Sequence, residues 1–195
     1  MRKFEISRTT NETDISLSLN IDGTGKNNIA TGCGFFDHML TLLSCHSAFD
    51  IDLTCKGDVE VDYHHSVEDI GIALGKAFSA CVGDKSGIDR YGDIILPMDE
   101  SLILCAVDIS GRAHLSLDIG ALPSKVGDFD TELLEEFLLG FVRNSNITLH
   151  IKQLSGKNAH HIIEGIFKAL GHTLKKAVKI ENPDNMAVLS SKGVL

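Results

Sequence analysis

Two short stretches concentrate side chains that bind metals: Asp62-Tyr63-His64-His65-Ser66-Val67-Glu68 and Asn158-Ala159-His160-His161-Ile162-Ile163-Glu164. Both read His-His-x-x-Glu. On a helix the first histidine lies four residues before the glutamate and the second three, so either shares a face with it. Adjacent histidines diverge by about 100° and do not readily serve one ion together, so one helix start can feed two metals. Four imidazoles and two carboxylates, with no thiolate, suit Mn²⁺ or Fe²⁺ at least as well as Zn²⁺, and octahedral geometry favours Mn²⁺. The order differs from the His-Glu-x-x-His zinc-protease pattern, where the glutamate is a base between the ligands. One such cluster reads equally well as surface histidines at a helix end. Two at equivalent places in a repeat have no folding benefit, and point to a dinuclear or paired metal site.

The repeat shows when the chain is slid along itself by 96 positions: Leu53 meets Leu149, Lys56 meets Lys152, His64-His65 meets His160-His161, Glu68 meets Glu164, and Ala73-Leu74-Gly75 meets Ala169-Leu170-Gly171. Each copy has the same local pattern. Ile51, Leu53 and Cys55, and later Ile147, Leu149 and Ile151, alternate with polar residues as half-buried strands do. Stripes at helical spacing follow, Val67 to Cys81 and Ile163 to Ala177. Further helices are expected at Phe35 to Ser47 and Thr131 to Asn144, with Asp37 and Thr131 in caps or first turns. Strands are expected at Lys3 to Arg8, Asp14 to Ile21, Asp93 to Leu96, Leu102 to Asp108 and Ala113 to Ile119. The expectation is an α+β fold of two tandem similar repeats, 1–90 and 91–195, each an antiparallel-rich sheet covered by two helices on one face. The boundary falls near Ser86 to Asp93, where Gly87 and Gly92 break the pattern.

Composition narrows the function. A formal charge of −9 opposes a phosphate-backbone binder, so nucleic acid is not an expected partner. No apolar run reaches the roughly 20 residues of a membrane helix, and the first residues lack the apolar stretch of a signal peptide. Cys33, Cys45, Cys55, Cys81 and Cys105 are odd in number, widely spaced and without a C-x-x-C pair, as suits reduced structural thiols. The chain reads as a cytoplasmic globular protein.

Asp37-His38-Met39-Leu40, His46, the two histidine clusters, and the tail Ser190-Ser191-Lys192-Gly193-Val194-Leu195 resemble the imidazoleglycerol-phosphate dehydratase family of histidine biosynthesis, over a span from about Arg8 to the end. The resemblance implies a duplicated ribosomal-protein-S5-domain-2-like fold, trimers building a 24-subunit shell, and two Mn²⁺ per active site at subunit interfaces. It implies His38, His64, His65, Glu68, His160, His161 and Glu164 as metal ligands, several of them also against substrate. Glu12 and His46 would contact the substrate's polar groups and serve as acid and base, and Arg90, Arg112, Ser190, Ser191 and Lys192 would hold its phosphate. One position departs: many members have a histidine ligand where this chain has Glu136, a carboxylate that can also bind Mn²⁺.

The implied reaction dehydrates D-erythro-imidazole-glycerol phosphate to imidazole-acetol phosphate. The proton lost has no neighbouring carbonyl, so the imidazole must accept electrons, held as a metal-stabilised imidazolate that expels hydroxide through a diazafulvene-like intermediate. Acid–base groups handle the hydroxyl and the carbon proton. Arg90 follows a glycine-rich turn and Arg112 opens a strand, both suited to fork-like phosphate contacts, while Lys192 with its serines makes an anion pocket. Three rivals stand beside this reading. A metal-dependent hydrolase would use metal-bound water, a metal-storage protein leaves the arginines and serines without purpose, and an RNA-binding module rests on fold analogy that the charge opposes.

Overall fold

A computed structural model of the chain describes residues 1–180 and 187–193. The last two residues of the tail motif, Val194 and Leu195, lie outside the described residues. The described residues form ten strands and four helices, in the order β1 Lys3–Thr9, β2 Thr13–Asn20, β3 Asn27–Ala30, α1 Gly34–Ser47, β4 Asp50–Gly57, α2 His64–Val82, β5 Tyr91–Met98, β6 Ser101–Asp108, β7 His114–Asp118, β8 Lys125–Val126, β9 Phe129–Asp130, α3 Leu133–Ser145, β10 Thr148–Ser155 and α4 Ala159–Ala177.

The tandem α+β repeat is present. The first sheet runs β1-β2-β4-β3 and the second β5-β6-β10-β7, the same order with the same directions. In each, three strands are antiparallel and the fourth, β3 or β7, lies parallel to its neighbour. Neither β3 nor the short β8–β9 hairpin was expected: Asn27-Asn28-Ile29-Ala30 is too short to show alternation, and its edge place comes from pairing with β4. Along β2, Ile15, Leu17 and Leu19 point inward while Ser16 and Ser18 face out, as the period of two requires.

The helices do not stay with their own halves. α2 lies on the first sheet but pairs with α3, and α4 lies on the second sheet but pairs with α1. These crossed pairs share one aromatic core in which Phe36 meets Phe137 and Phe167, and Phe78 meets Phe141. Small residues let the pairs approach: a Cβ placed on Gly71 would sit 2.5 Å from the Phe137 carbonyl, and one on Gly75 would sit 2.5 Å from that of Phe141. Gly92, expected as a break between halves, is instead inside β5, where the Thr173 carbonyl of α4 lies 2.0 Å from the place of its missing Cβ. The chain between the halves is 83–90, with Gly87 at φ +71°.

Candidate functional site

Each histidine pair owes its position to a short polar side chain two residues ahead. The Asn158 carboxamide oxygen accepts the His160 amide at 2.9 Å and the His161 amide at 3.4 Å, capping α4. At the repeat-equivalent place, Asp62 accepts the His64 amide at 2.7 Å. The planes of the neighbouring rings then stand at 83° for His160 and His161 and at 80° for His64 and His65, with ring centres 6.2 Å apart in each pair.

His160 turns along α4, its Nε2 3.2 Å from Glu164 Oε2, while His38 of α1 brings its own Nε2 to 3.7 Å from the same oxygen. The ligand atoms of His38, His160 and Glu164 all lie within 4.8 Å of one another, so two imidazoles and one carboxylate converge on one point. Phe35 packs edge-on to His160, ring centres 5.2 Å apart. Burial pushes the Glu164 carboxyl up, but the Lys168 ammonium, 2.6 Å from Oε1, with His38 and His160, holds it below the usual carboxylate range. Lys168 was not singled out from sequence; its signal was its place four residues beyond Glu164, on the same helix face.

The first-repeat cluster is looser. His64 Nε2 stands 4.0 Å from Glu68 Oε2. Glu136 occupies in α3 the place His38 has in α1: each lies ten residues before a left-handed C-cap, Ala48 at φ 60° and Asn146 at φ 54°. The helix contacts agree with this register, since a Cβ placed on Gly171 would sit 3.0 Å from the Ser47 amide nitrogen and one on Gly75 would sit 3.1 Å from that of Ser145. Glu136 is thus the counterpart of His38, on the helix that pairs with α2.

The second histidines face elsewhere. His65 Nδ1 is 2.9 Å from Asp58 Oδ2, with Nε2 3.7 Å from Glu12 Oε1. His161 Nδ1 is 2.7 Å from Glu100 Oε2, with Nε2 3.8 Å from Asp99. Hydrogen bonding to these carboxylates raises the pKa of both rings, and the Glu100 carboxyl falls to about 2 through its bonds from His161 and the Asn158 amide. Glu12 occupies the β1–β2 turn, where its carbonyl accepts the Asp58 amide at 3.1 Å. Asp69, next to Glu68, is bound by Arg8 of β1 and Thr13 of β2, an ionic tie that draws this turn onto α2.

A third group gathers around Arg90. This residue, at φ +69°, forks onto Asp108 at 2.7 and 3.1 Å and donates to the Leu189 carbonyl at 2.6 Å, drawing the tail with Ser190, Ser191 and Lys192 alongside. Arg112 stands close by, two residues beyond Ser110 and hydrogen-bonded to its carbonyl, just ahead of β7 rather than opening it. The Arg90 amide also binds the Ala177 carbonyl, at the far end of α4 from His160. Seventeen residues at 1.5 Å each separate the two ends by about 25 Å. One chain therefore keeps its cationic group well away from its own histidine–glutamate trio. His46 is likewise apart from the trio, two turns along α1 from His38, with Nδ1 3.0 Å from His172 Nε2. Burial, then His172 and Lys168, lowers its pKa.

Comparison with known proteins identifies one family. The profile of a family described as imidazoleglycerol-phosphate dehydratase matches residues 31–174. The chain is 53% identical over 194 residues to the imidazoleglycerol-phosphate dehydratase of Acetivibrio thermocellus, covering all of this chain and 99% of that one. It is 55% identical to that of Clostridium novyi, with 100% and 98% covered. Among solved structures, imidazoleglycerol-phosphate dehydratase from Staphylococcus aureus matches with TM-score 0.83 at 40% identity, covering 91% of this chain and 99% of that one. That from Pyrococcus furiosus, solved with (S)-C348, matches with TM-score 0.84 at 40% identity, covering 97% and 100%.

Proposed function

Because this chain belongs to the imidazoleglycerol-phosphate dehydratase family, we propose that it converts D-erythro-imidazole-glycerol phosphate to imidazole-acetol phosphate in histidine biosynthesis. The enzyme is a hydro-lyase. The observation that carries the reading is the convergence of His38, His160 and Glu164 within 4.8 Å, a nitrogen and oxygen donor set that fits a divalent cation. The ion of this reading is Mn²⁺, two per active site. His38, His160 and Glu164 would hold one; His64, Glu68 and Glu136, their repeat counterparts, would hold the other. Bound there, the metal supplies Lewis acidity to the substrate's imidazole and orients it.

The protein's own groups do the rest. The hydroxyl on the carbon bonded to the ring leaves as the imidazole supplies an electron pair; the proton on the next carbon is then removed, its bonding pair flowing back to the ring, and the resulting enol becomes the ketone by taking a proton on the carbon beside the ring. Glu12, on an exposed turn with its carboxylate 3.7 Å from His65, would carry a proton. Arg90, Arg112, Ser190, Ser191 and Lys192 supply cationic and hydroxyl donors for the phosphate, with Arg90 held rigid by Asp108.

The separation of about 25 Å along α4 supports a site shared between chains, because a short substrate cannot span it within one subunit. His65 and His161, turned from their own clusters, are free to complete those of neighbours, and Glu12 and His46 would enter from adjoining chains in the same way. Trimers assembling into a 24-subunit shell are the form this reading takes, with oligomerisation part of function. No helix among the described residues is long and apolar enough to cross a membrane. Four of the five cysteines are buried thiols, as suits a reducing cytoplasm.

The test is to incubate metal-stripped protein with the substrate, with and without Mn²⁺, alongside Glu68→Gln, and to follow both the ketone and inorganic phosphate. Ketone only with Mn²⁺, and little in the variant, is the expected result. Phosphate release without ketone would replace dehydration by hydrolysis, and tight metal binding with neither product would leave metal storage.

A further inference from the structure

We propose that Asp58 and Glu100 are positioning residues, each gripping one histidine by its Nδ1 so that the opposite nitrogen is presented to a divalent cation. The inference rests on the reading of His65 and His161 as metal ligands. In each repeat a carboxylate meets the same ring atom, Asp58 Oδ2 at 2.9 Å from His65 Nδ1 and Glu100 Oε2 at 2.7 Å from His161 Nδ1. A carboxylate there accepts the Nδ1 proton, fixing the tautomer that leaves a lone pair on Nε2. Both Nε2 atoms remain uncommitted, since their nearest carboxylates, Glu12 at 3.7 Å and Asp99 at 3.8 Å, are beyond hydrogen-bond range.

The two carboxylates are not copies of each other. In the register that superimposes the histidines, Asp58 corresponds to Leu154. Glu100 corresponds instead to Glu12, because the β1–β2 and β5–β6 turns align with β2 starting at Thr13 and β6 at Ser101. Two unrelated positions thus supply the same contact. The other oxygen of Asp58, Oδ1, is buried with no hydrogen-bond partner among the described residues, an arrangement that costs stability. The consequence reaches the chemistry. Glu100 is committed to its ring and to the Asn158 amide at 2.9 Å, whereas Glu12, relieved of that task by Asp58, stands at the looser 3.7 Å from His65 Nε2 and is available for proton transfer. Of two duplicated turn acids, one became a support and the other stayed available.

The experiment uses the intact assembly, stripped of metal and titrated with Mn²⁺, with free Mn²⁺ read by its electron paramagnetic resonance signal. The variants are Asp58→Ala, Glu100→Ala, Asp58→Asn, Glu100→Gln, His65→Ala and His161→Ala. Each carboxylate-to-alanine change should weaken Mn²⁺ binding by about 10–100-fold. The amides, which still accept the Nδ1 proton, should recover most of it, and their metal-free thermal midpoints should stay near that of the parent. If the histidine variants lose affinity while Asp58→Ala and Glu100→Ala stay within about twofold of the parent, the positioning role is wrong and the ligand reading stands. If alanine and amide variants are equally weak and both melt early without metal, the carboxylates serve folding and the proposal is overturned. Unchanged binding in His65→Ala and His161→Ala overturns the ligand reading, and this inference with it.

Discussion

Alanine at Gly71 should damage the second metal cluster without touching a ligand. The Cβ it adds lies 2.5 Å from the Phe137 carbonyl oxygen and 3.3 Å from the Phe137 Cα, all rigid backbone of α3. Ordinary contact begins at 3.4 Å, so the two helices must part locally by about 0.9 Å. Overpacking of this kind costs about 1–3 kcal/mol, offset by up to about 1 kcal/mol for replacing glycine within a helix. Taking the middle of that range and the full offset, the net loss is about 1 kcal/mol, or roughly 2–4 °C in thermal midpoint for a chain of this size. Activity should fall further than stability. Glu136 immediately precedes Phe137, and Glu68 lies three residues before Gly71, so the shift opens the groups meant to share an ion, and an error near 1 Å can cost about 100-fold. Differential scanning fluorimetry and steady-state kinetics measure both. Gly34→Ala is the control: nothing lies within 4 Å of its added Cβ, and the change at the start of α1 should be neutral or stabilise by about 0.4–1 kcal/mol. A Gly71→Ala protein that melts and turns over like the parent would refute the argument that glycine is there to admit α3.

Glu164→Gln removes the carboxylate of the compact trio and leaves Lys168 without its partner at 2.6 Å; Mn²⁺ affinity measured by calorimetry should drop by at least about tenfold. Arg90→Lys keeps the charge but loses the fork onto Asp108 and the bond to the Leu189 carbonyl, so KM for substrate should rise by about 10–100-fold, with a smaller change in kcat. Burial first, then the neighbouring His172 and Lys168, place the folded pKa of His46 below its ordinary 6.5, so the unfolded chain binds that proton first as pH falls. Stability linked to it is therefore intact above about pH 6.5 and is lost as pH drops through the folded pKa, a slope in thermal midpoint that His46→Gln should flatten. Removing metal with a chelator should lower the thermal midpoint and shift light scattering toward smaller species, because ligands from different chains would no longer share an ion.

Much of this protein was legible in its residues because its logic is local and repeated. The spacing of His160 and Glu164 is a property of any helix, and it places their facing atoms 3.2 Å apart as expected. The alternation in β2 and β6 and the stripes of α2 and α4 likewise depend only on backbone periods of 2 and 3.6. The register between repeats identified two clusters as one motif used twice, and the family resemblance supplied the roles. Local pattern has no access to partner choice. That α1 joins α4 and α3 joins α2 is decided by which glycine-bearing faces allow backbones to meet, a contact between residues about 70–130 positions apart. The same packing makes His38 a member of the His160–Glu164 trio and Glu136 its counterpart, hands His161 to a turn acid and His65 to Asp58, and sets Arg90 at the opposite end of α4 from His160. The sequence determined which chemistry the chain carries; only the tertiary structure decided which groups meet, because side chains on crossing helices are brought together by shape rather than by their spacing along the chain.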